Sequence, residues 1–375
     1  MKLISLNYAQ FEGQSRQWRL SDLSLGNVNL LVGKNASGKT RTLNVILGLA
    51  RLLSPITKLS FISGNYDVKF DHDGKIINYI LHFEQTKIVS ERFVLEGKEL
   101  LKRGPGGIGK IRAEKIDKEM DFQAPEDQLA AVVRQDAIQH PFLAPLQQWA
   151  RSLYYYPFGT PLGKENLIVD IDDPNAPFDP KDFKGVVTIF KRGLMEFGIP
   201  FKQSIMRDME RIGYPLREIN LQAPSSLRGP VMGVCVQEKA LPGVTDQLDM
   251  SQGMFRALSV IIQITYARMS NTANTILIDD IGEGLDFERS FELIKLLVEE
   301  ATQSKVQLII ATNDRFVMNS VPLESWSVLQ RSGGDSRVYN YANSKSIFDE
   351  FKFTGMNNFD FFATDFLFGE QSQQK

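Results

Sequence analysis

A glycine-rich stretch near the amino terminus has the residue types and the spacing for binding phosphate. It fits the pattern G-x-x-x-x-G-K-[ST] and consists of Gly33, Lys34, Asn35, Ala36, Ser37, Gly38, Lys39 and Thr40. In such a stretch the backbone N–H groups can turn inward around an anion, the lysine adds a point charge, and the threonine hydroxyl can bind Mg²⁺. It follows the apolar run 28–32, and Arg41 leads from it into a helical pattern that begins at Thr42. We therefore expect a nucleoside triphosphate and Mg²⁺ as ligands.

Two further polar groups follow apolar runs in the second half of the chain. The run 275–278 ends in Asp279 and Asp280, and the run 307–311 is soon followed by Asn313. A carboxylate at the carboxyl end of a buried strand can hold Mg²⁺ through water, so Asp279 is the predicted metal-binding residue. Asp280 is expected to face the reacting phosphate. This order of elements is that of a nucleotide-hydrolysing core.

A serine and a glycine stand at the start of a third pattern, which is helical. Ser251, Gln252 and Gly253 lead into residues 258–265, where apolar side chains recur on one side. The free N–H groups of a helix N-terminus attract anions, although Ser-x-Gly at this place is by itself typical of an ordinary cap. Together with the two groups above, the stretch predicts a further phosphate contact.

Composition narrows the class of protein. The chain has 375 residues, a formal net charge of −2 and a single cysteine, Cys235. The charge gives no overall reason to expect nucleic acid but permits a local basic patch. One cysteine excludes a disulfide framework within the chain, and the amino terminus resembles a strand more than a signal peptide. No apolar run reaches the length of a membrane span, so we expect a soluble, cytoplasmic protein without membrane contact.

The combined motifs resemble the heads of ABC-type ATPases, in the soluble branch that includes SMC-like, RecF-like and OLD-like proteins. The resemblance spans most of the chain and rests on the phosphate loop, the signature-like run 250–253, Asp279, the Leu285-Asp286 turn and Asn313. In that family two heads enclose two ATP molecules, each held by one protomer's phosphate loop and the other protomer's signature serine and glycine. The resemblance therefore implies a homodimer or higher homo-oligomer, with ATP and Mg²⁺ as cofactors.

Each predicted site residue has a role in this scheme. The nucleotide-binding residues are Gly33, Asn35, Ala36, Ser37, Gly38, Lys39, Thr40, Arg41, Ser251, Gln252, Gly253 and Asp286, with Ser251 and Gly253 acting in trans. Thr40 and Asp279 hold the metal. Lys39, Asp280 and Asn313 are the predicted catalytic residues.

The predicted fold class is α/β, with a parallel-sheet core, an antiparallel β insertion and a helical signature subdomain. Residues 1–55 and 270–343 are assigned to the core, 56–160 to the insertion with a helical return over about 120–155, and 161–269 to the helical subdomain. Asp73-Gly74 and Glu96-Gly97 are hairpin signals within the insertion. Residues 344–375 form a tail rich in phenylalanine, which either docks on the domain or marks an interface.

Two positions depart from the usual pattern of these heads. Asp280 stands where many members have a glutamate that orients the attacking water, and Asn313 stands where many have a histidine. Asparagine donates a hydrogen bond but gains no proton near neutral pH. Both changes favour slow hydrolysis.

The same comparison leaves two roles unassigned. The aromatic residue that packs on adenine is Tyr8, Phe11 or Trp18, because spacing does not choose among them. The glutamine that contacts Mg²⁺ is one of four candidates: Gln123, Gln128, Gln135 and Gln139.

Three functions agree with these features. The first is a slowly hydrolysing, dimeric ATPase that acts as a switch or scaffold for a separately encoded effector, a nuclease or toxin, in bacterial phage defence or a toxin-type system. The second is a RecF-like DNA-repair ATPase, which the absence of a long heptad-bearing segment in the sequence favours. The third is an interaction module that binds nucleotide without hydrolysing it.

Overall fold

A computed structural model describes residues 1–54, 59–134, 136–169, 178–227, 229–304 and 306–369. In chain order its strands are β1 (Lys2–Gln10), β2 (Trp18–Ser24), β3 (Val28–Val32), β4 (Ser63–His72), β5 (Lys75–Glu84), β6 (Lys87–Leu95), β7 (Lys98–Arg103), β8 (Ile108–Ala113), β9 (Lys118–Gln123), β10 (Leu153–Pro157), β11 (Ile168–Val169), β12 (Leu216–Gln222), β13 (Val231–Glu238), β14 (Thr275–Asp279), β15 (Gln307–Ala311), β16 (Trp326–Ser332) and β17 (Asp335–Asn340). The helices are α1 (Lys39–Leu52), α2 (Ala130–Val133), α3 (Ala144–Arg151), α4 (Val186–Phe197), α5 (Ile199–Arg211), α6 (Gln252–Met269), α7 (Phe287–Ser304), α8 (Arg315–Ser320), α9 (Lys345–Lys352) and α10 (Asn358–Ala363).

The chain divides into two units, Met1–Leu153 with Pro322–Lys375, and Tyr154–Val321. In the first unit the strand order is β3-β16-β17-β2-β1-β4-β5-β6-β7-β8-β9. β16 runs parallel to β3 and β17 parallel to β2, whereas β4 to β9 form an antiparallel series. The predicted two-residue turns at Asp73-Gly74 and Glu96-Gly97 are confirmed, with positive φ at all four residues.

The phosphate-loop helix starts earlier than predicted. α1 begins at Lys39 instead of Thr42, since its first residues are polar and carry no apolar period. Ile46 and Leu49 are fully buried on its inner face. The helix therefore starts inside the glycine-rich motif.

The predicted helical return over about 120–155 is only partly helical. β9 is a strand whose residues are mostly exposed, so its sequence carries no readable period. The short helices α2 and α3 follow, because Pro125 and Pro141 interrupt any longer helix. The strand predicted at 154–157 is present as β10.

The second unit holds the parallel pair of β14 and β15, and both strands are buried along their whole length. This burial agrees with their continuous apolar sequences. The predicted helices around 186–198 and 201–213 are confirmed as α4 and α5. The antiparallel pair of β12 and β13 was not predicted, because a register shift between Leu216 and Glu218 breaks the period of two. In the described part of the chain, no helix is long and apolar enough to cross a membrane.

Candidate functional site

The phosphate loop of the first unit folds as an anion cradle. Ala36 and Gly38 have φ angles of 61° and 110°, in the left-handed region. Left-handed residues placed among right-handed ones turn neighbouring backbone N–H groups toward one point, which creates a concavity for anions. The Ser37 N–H donates to the carbonyl oxygen of Lys34 (3.1 Å), which closes the turn.

The lysine of the loop is held across it. Lys39 is 7% exposed, and its Nζ donates to the carbonyl oxygen of Gly33 at 2.8 Å. Thr40 is exposed in the first turn of α1, where the helix dipole favours negative charge. The ammonium group and the helix start therefore offer positive potential to the same loop.

Side chains of the neighbouring strands β16 and β17 donate hydrogen bonds to the backbone of the loop. Ser336 Oγ of β17 donates to the Ser37 carbonyl oxygen (3.0 Å) and accepts from Trp18 Nε1 (3.0 Å). Arg331 of β16 donates to the Ala36 carbonyl oxygen at 3.1 Å. The Arg41 guanidinium lies 4.3 Å from the centroid of the Trp18 ring. These contacts fix the backbone of the cradle before any ligand binds.

These residues fit a polyphosphate with Mg²⁺. Ser37 Oγ is buried and has no hydrogen-bond partner among the described residues, so the loop retains an unsatisfied polar group inside the cradle. A hydroxyl in this state gains a partner when a phosphate oxygen enters. Thr40 supplies the hydroxyl oxygen that Mg²⁺ prefers.

The structure separates the three aromatic candidates for adenine packing. Trp18 is 1% exposed and Tyr8 is 6% exposed, and their ring centroids are 5.9 Å apart. Both rings are thus covered by the protein. Phe11 is partly exposed, and the Arg16 guanidinium lies 3.7 Å from its ring centroid. Phe11 is the most exposed of the three candidates.

The phenylalanine-rich tail is part of the first unit and reaches the phosphate loop. Phe348, Phe351 and Phe361 are buried, whereas Phe353 is 91% exposed. Asp365 pairs with the loop through the ammonium group of Lys34, at 2.8 Å. An open cavity of about 640 Å³ beside this pair is lined by residues of the loop, of β16 and of the tail: Lys34, Asn35, Ala36, Ser37, Val328, Leu329, Gln330, Arg331, Gly333, Phe362, Asp365 and Phe368.

In the second unit, carboxylates stand at the end of β14 as predicted. Asp279 is 5% exposed, and Asp280 is more accessible with a φ angle of 53°. A left-handed residue other than glycine is uncommon and costs free energy, although aspartate tolerates it better than most. Thr312, which follows β15, donates from Oγ1 to the Ile281 carbonyl oxygen (3.0 Å) and so fixes the next turn. Asn313 follows and is exposed.

The loop after β10 also belongs to this carboxylate site, which the sequence did not indicate. A Cβ placed on Gly159 would lie 3.0 Å from the Asp280 Cβ and 3.0 Å from Glu283 Oε2. The loop therefore touches both acidic side chains. Arg256 of α6 contacts the same loop. A charged residue within an otherwise apolar helical stretch was the one sequence feature that could have indicated this contact.

The candidate glutamines belong to the first unit. Gln123 is in β9 and donates to the Gly106 carbonyl oxygen (3.2 Å), while Gln128 and Gln139 lie in the segment that follows β9. Gln135 is outside the described residues. The loop 158–160, which does contact Asp280, contains no glutamine.

The signature residues stand at the start of α6, as the sequence pattern predicts. Ser251 is the N-cap, accepting from the Met254 N–H at 3.2 Å, and its side chain is exposed together with Gln252. A Cβ on Gly253 would lie only 2.2 Å from the Gly284 carbonyl oxygen. Glycine at position 253 thus allows α6 to approach the turn that contains Asp286.

Asp286 is held at the start of α7. Its Oδ1 accepts from the Arg289 N–H at 3.0 Å, and its Oδ2 pairs with the Arg289 guanidinium. The hydrogen bond from the Arg289 N–H is the main cause that lowers the pKa of Asp286 below its usual value. The carboxylate is therefore ionised and fixed in orientation near neutral pH.

Taken separately, the two units present a phosphate cradle and a strand edge with carboxylates, which define the class of P-loop nucleotide-binding proteins. Residues 28–319 match the family described as "AAA domain, putative AbiEii toxin, Type IV TA system". The match covers most of the chain, and the chain belongs to this family. A comparison with curated proteins finds no match.

Solved structures of SMC heads are similar to the chain. An SMC head bound to the C-winged helix domain of ScpA has a TM-score of 0.51 and 14% identity, covering 90% of this chain and 97% of that one. The SMC head domain from Thermotoga maritima has a TM-score of 0.46 and 14% identity, covering 91% and 99%. The first of these shows the fold, and the family match and this fold confirm the predicted resemblance to SMC-like ABC-type ATPase heads.

Proposed function

We propose that this ATPase-family protein binds ATP with Mg²⁺, hydrolyses it slowly and acts as a nucleotide-controlled dimeric switch. The observation that carries the proposal is the preformed cradle of residues 33–40, with its converging N–H groups, buried lysine and unsatisfied Ser37 hydroxyl. A cradle fixed in advance binds phosphate without having to order the loop. Asn35 and Arg41 complete the contacts to the nucleotide.

Each predicted site residue has a role in hydrolysis in this proposal. Lys39 binds the terminal phosphates, Thr40 and Asp279 hold Mg²⁺, and the ion supplies neutralisation of the developing negative charge. Asp280 orients the attacking water and Asn313 donates a hydrogen bond to the phosphate. The Asp280 side chain is one methylene shorter than that of glutamate, which supports slow turnover. We expect a rate below about 10 per second, the median value for enzymes.

The signature residues act on the nucleotide of a second copy. Ser251 and Gln252 are exposed at the N-terminus of an 18-residue helix, where the helix dipole favours an anion. Gly253 follows them and is buried against the turn that contains the exposed Asp286. This arrangement supports a homodimer that closes around ATP and opens after hydrolysis.

The dimer serves as a scaffold for a separately encoded effector, a nuclease or toxin, in a phage-defence or toxin-type system. The family's description names a toxin of a type IV toxin–antitoxin system, which supports this setting. A RecF-like role in DNA repair is the alternative, and it requires that the ATP-bound dimer bind DNA.

Steady-state hydrolysis and molar mass by light scattering test the proposal together. Wild-type protein with ATP and Mg²⁺ is expected to form a dimer and to release phosphate below about 10 per second. Lys39→Ala should remain monomeric with ATP. A mass that does not respond to nucleotide contradicts the switch, and ATP-dependent duplex binding that weakens steeply with salt selects the RecF-like role.

A further inference from the structure

Arg256 joins three parts of the second unit through backbone carbonyl groups. It is 9% exposed and lies in the second turn of α6, the helix that Ser251 caps. Its Nε donates to the Thr160 carbonyl oxygen at 3.0 Å and its Nη2 donates to that of Gly159 at 3.1 Å. Its Nη1 donates to the carbonyl oxygen of Glu283 at 2.9 Å. The guanidinium therefore connects the signature helix, the loop after β10 and the turn after Asp280.

The three parts that Arg256 joins also touch one another directly. Position 253 of the signature helix abuts the Gly284 carbonyl, and Gly159 abuts Asp280. At position 253 even a methyl group would lie 2.2 Å from the Gly284 carbonyl oxygen, so α6 has little free space toward this turn. A displacement of α6 is therefore passed to the turn 281–286 by this contact and to the loop 158–160 by the bonds of Arg256.

Arginine at position 256 can bond to these three carbonyl groups at once. A guanidinium offers donors in a rigid planar fork, whereas a lysine ammonium is a flexible point charge that cannot span the same acceptors. The carboxylate near Arg256, that of Glu283, is 57% exposed, and its Oε1 lies 3.9 Å from Arg256 Nη1. The carbonyl groups are thus the close partners of this buried cation.

We infer that Arg256 is a positioning residue that transmits the engagement of Ser251 and Gly253 to Asp280. This inference rests on the proposed function, in which Ser251 and Gly253 bind the partner's nucleotide and Asp280 orients water. It adds that Arg256 links two events: the binding of the partner's nucleotide by Ser251 and Gly253, and the hydrolysis of the protomer's own nucleotide with the help of Asp280. Hydrolysis should then be cooperative in ATP.

Arg256→Lys is the main test. Arg268→Lys is the matched control on the same helix, because Arg268 bonds to the side chains of Glu300 and Ser204 and not to backbone carbonyl groups of the loop or the turn. For Arg256→Lys we expect kcat to fall about 10- to 100-fold, as a misplacement near 1 Å does. The Hill coefficient should fall toward 1 while the affinity for a fluorescent ATP analogue stays within about twofold, since a misplaced Asp280 leaves ground-state binding intact. Hydrogen exchange should accelerate in the peptides that cover 158–160 and 281–286.

A second variant covers the case in which Arg256→Lys unfolds. Gly159→Ala keeps the bonds of Arg256 but places a Cβ against Asp280, so it should also lower kcat without loss of nucleotide affinity. Unchanged kcat in Gly159→Ala, or in a folded Arg256→Lys, overturns the inference, and so does unchanged exchange in both peptides. A wild-type protein that releases no phosphate refutes the proposed function instead, and the exchange result then decides the inference alone.

Discussion

Gly253→Ala is the perturbation whose consequence the structure specifies most closely. The new Cβ would lie 2.2 Å from the Gly284 carbonyl oxygen, whereas ordinary contact begins at 3.4 Å. Helix α6 and the turn after Asp280 must therefore separate by about 1 Å. Such overpacking costs ~1–3 kcal/mol, which lowers the thermal midpoint by roughly 2–4 °C per kcal/mol in a unit of this size.

The same displacement should affect function more than stability. A shift of about 1 Å at the signature and the acidic turn is expected to lower the rate of phosphate release by roughly 100-fold. Binding of ATP to an isolated protomer should persist, because the phosphate loop is untouched. Calorimetry, a phosphate-release assay and analogue binding measure the three quantities.

A matched control is available in the same unit. A Cβ on Gly243 meets no atom within 4 Å, so Gly243→Ala should leave the thermal midpoint, the rate of phosphate release and the affinity for ATP unchanged. If Gly253→Ala behaves like this control, the close contact between the signature helix and the turn has no role. If it abolishes ATP binding as well, the separation of binding from hydrolysis is wrong.

Four substitutions and one labelling experiment test other predictions. Lys39→Ala should abolish ATP binding, while Lys34→Ala, which removes only an exposed ion pair, should not; isothermal calorimetry distinguishes them. Asp280→Asn should prolong the lifetime of the ATP-bound dimer, measured by subunit exchange, and an unchanged lifetime would favour a module that does not use hydrolysis. Glu91→Gln removes the buried carboxylate that pairs with Arg103 at 3.5 Å and accepts from two N–H groups, and urea unfolding should show a loss of ~3–5 kcal/mol because the Arg103 charge stays buried. Burial raises the pKa of the Cys235 thiol to about 11. Iodoacetamide should therefore label this thiol slowly at pH 8 in the folded protein and quickly in urea. The contribution of the thiol to the free energy of unfolding is complete below pH ~8.5 and is lost as the pH rises toward 11.

The local motifs were predictable because each is encoded in neighbouring residues. The phosphate loop needs only glycine, lysine and threonine at fixed spacing, and the structure places its left-handed residues at Ala36 and Gly38. The strand that ends at Asp279 is recognisable because it is buried along its whole length and therefore continuously apolar. The cap at Ser251 is likewise a property of a few consecutive residues.

The contacts that connect these motifs were not predictable, because they join distant parts of the chain. The bonds of Arg256 to Gly159 and Thr160 span 97 and 96 residues, and no local pattern encodes them. The pair of β12 and β13 was hidden by a register shift that breaks its alternation. Burial of Trp18 depends on the Tyr8 ring and on Ser336, which is 318 residues away.

Native mass spectrometry of the tagged protein, purified from its own genomic context with ATP and Mg²⁺, tests the central proposal most directly. We expect two copies of the chain with two nucleotides and a second polypeptide in fixed stoichiometry. The Lys39→Ala protein should lack the nucleotides and show an altered amount of that polypeptide. A nucleotide-bound dimer without a second polypeptide, or one that carries only DNA, would contradict the scaffold function.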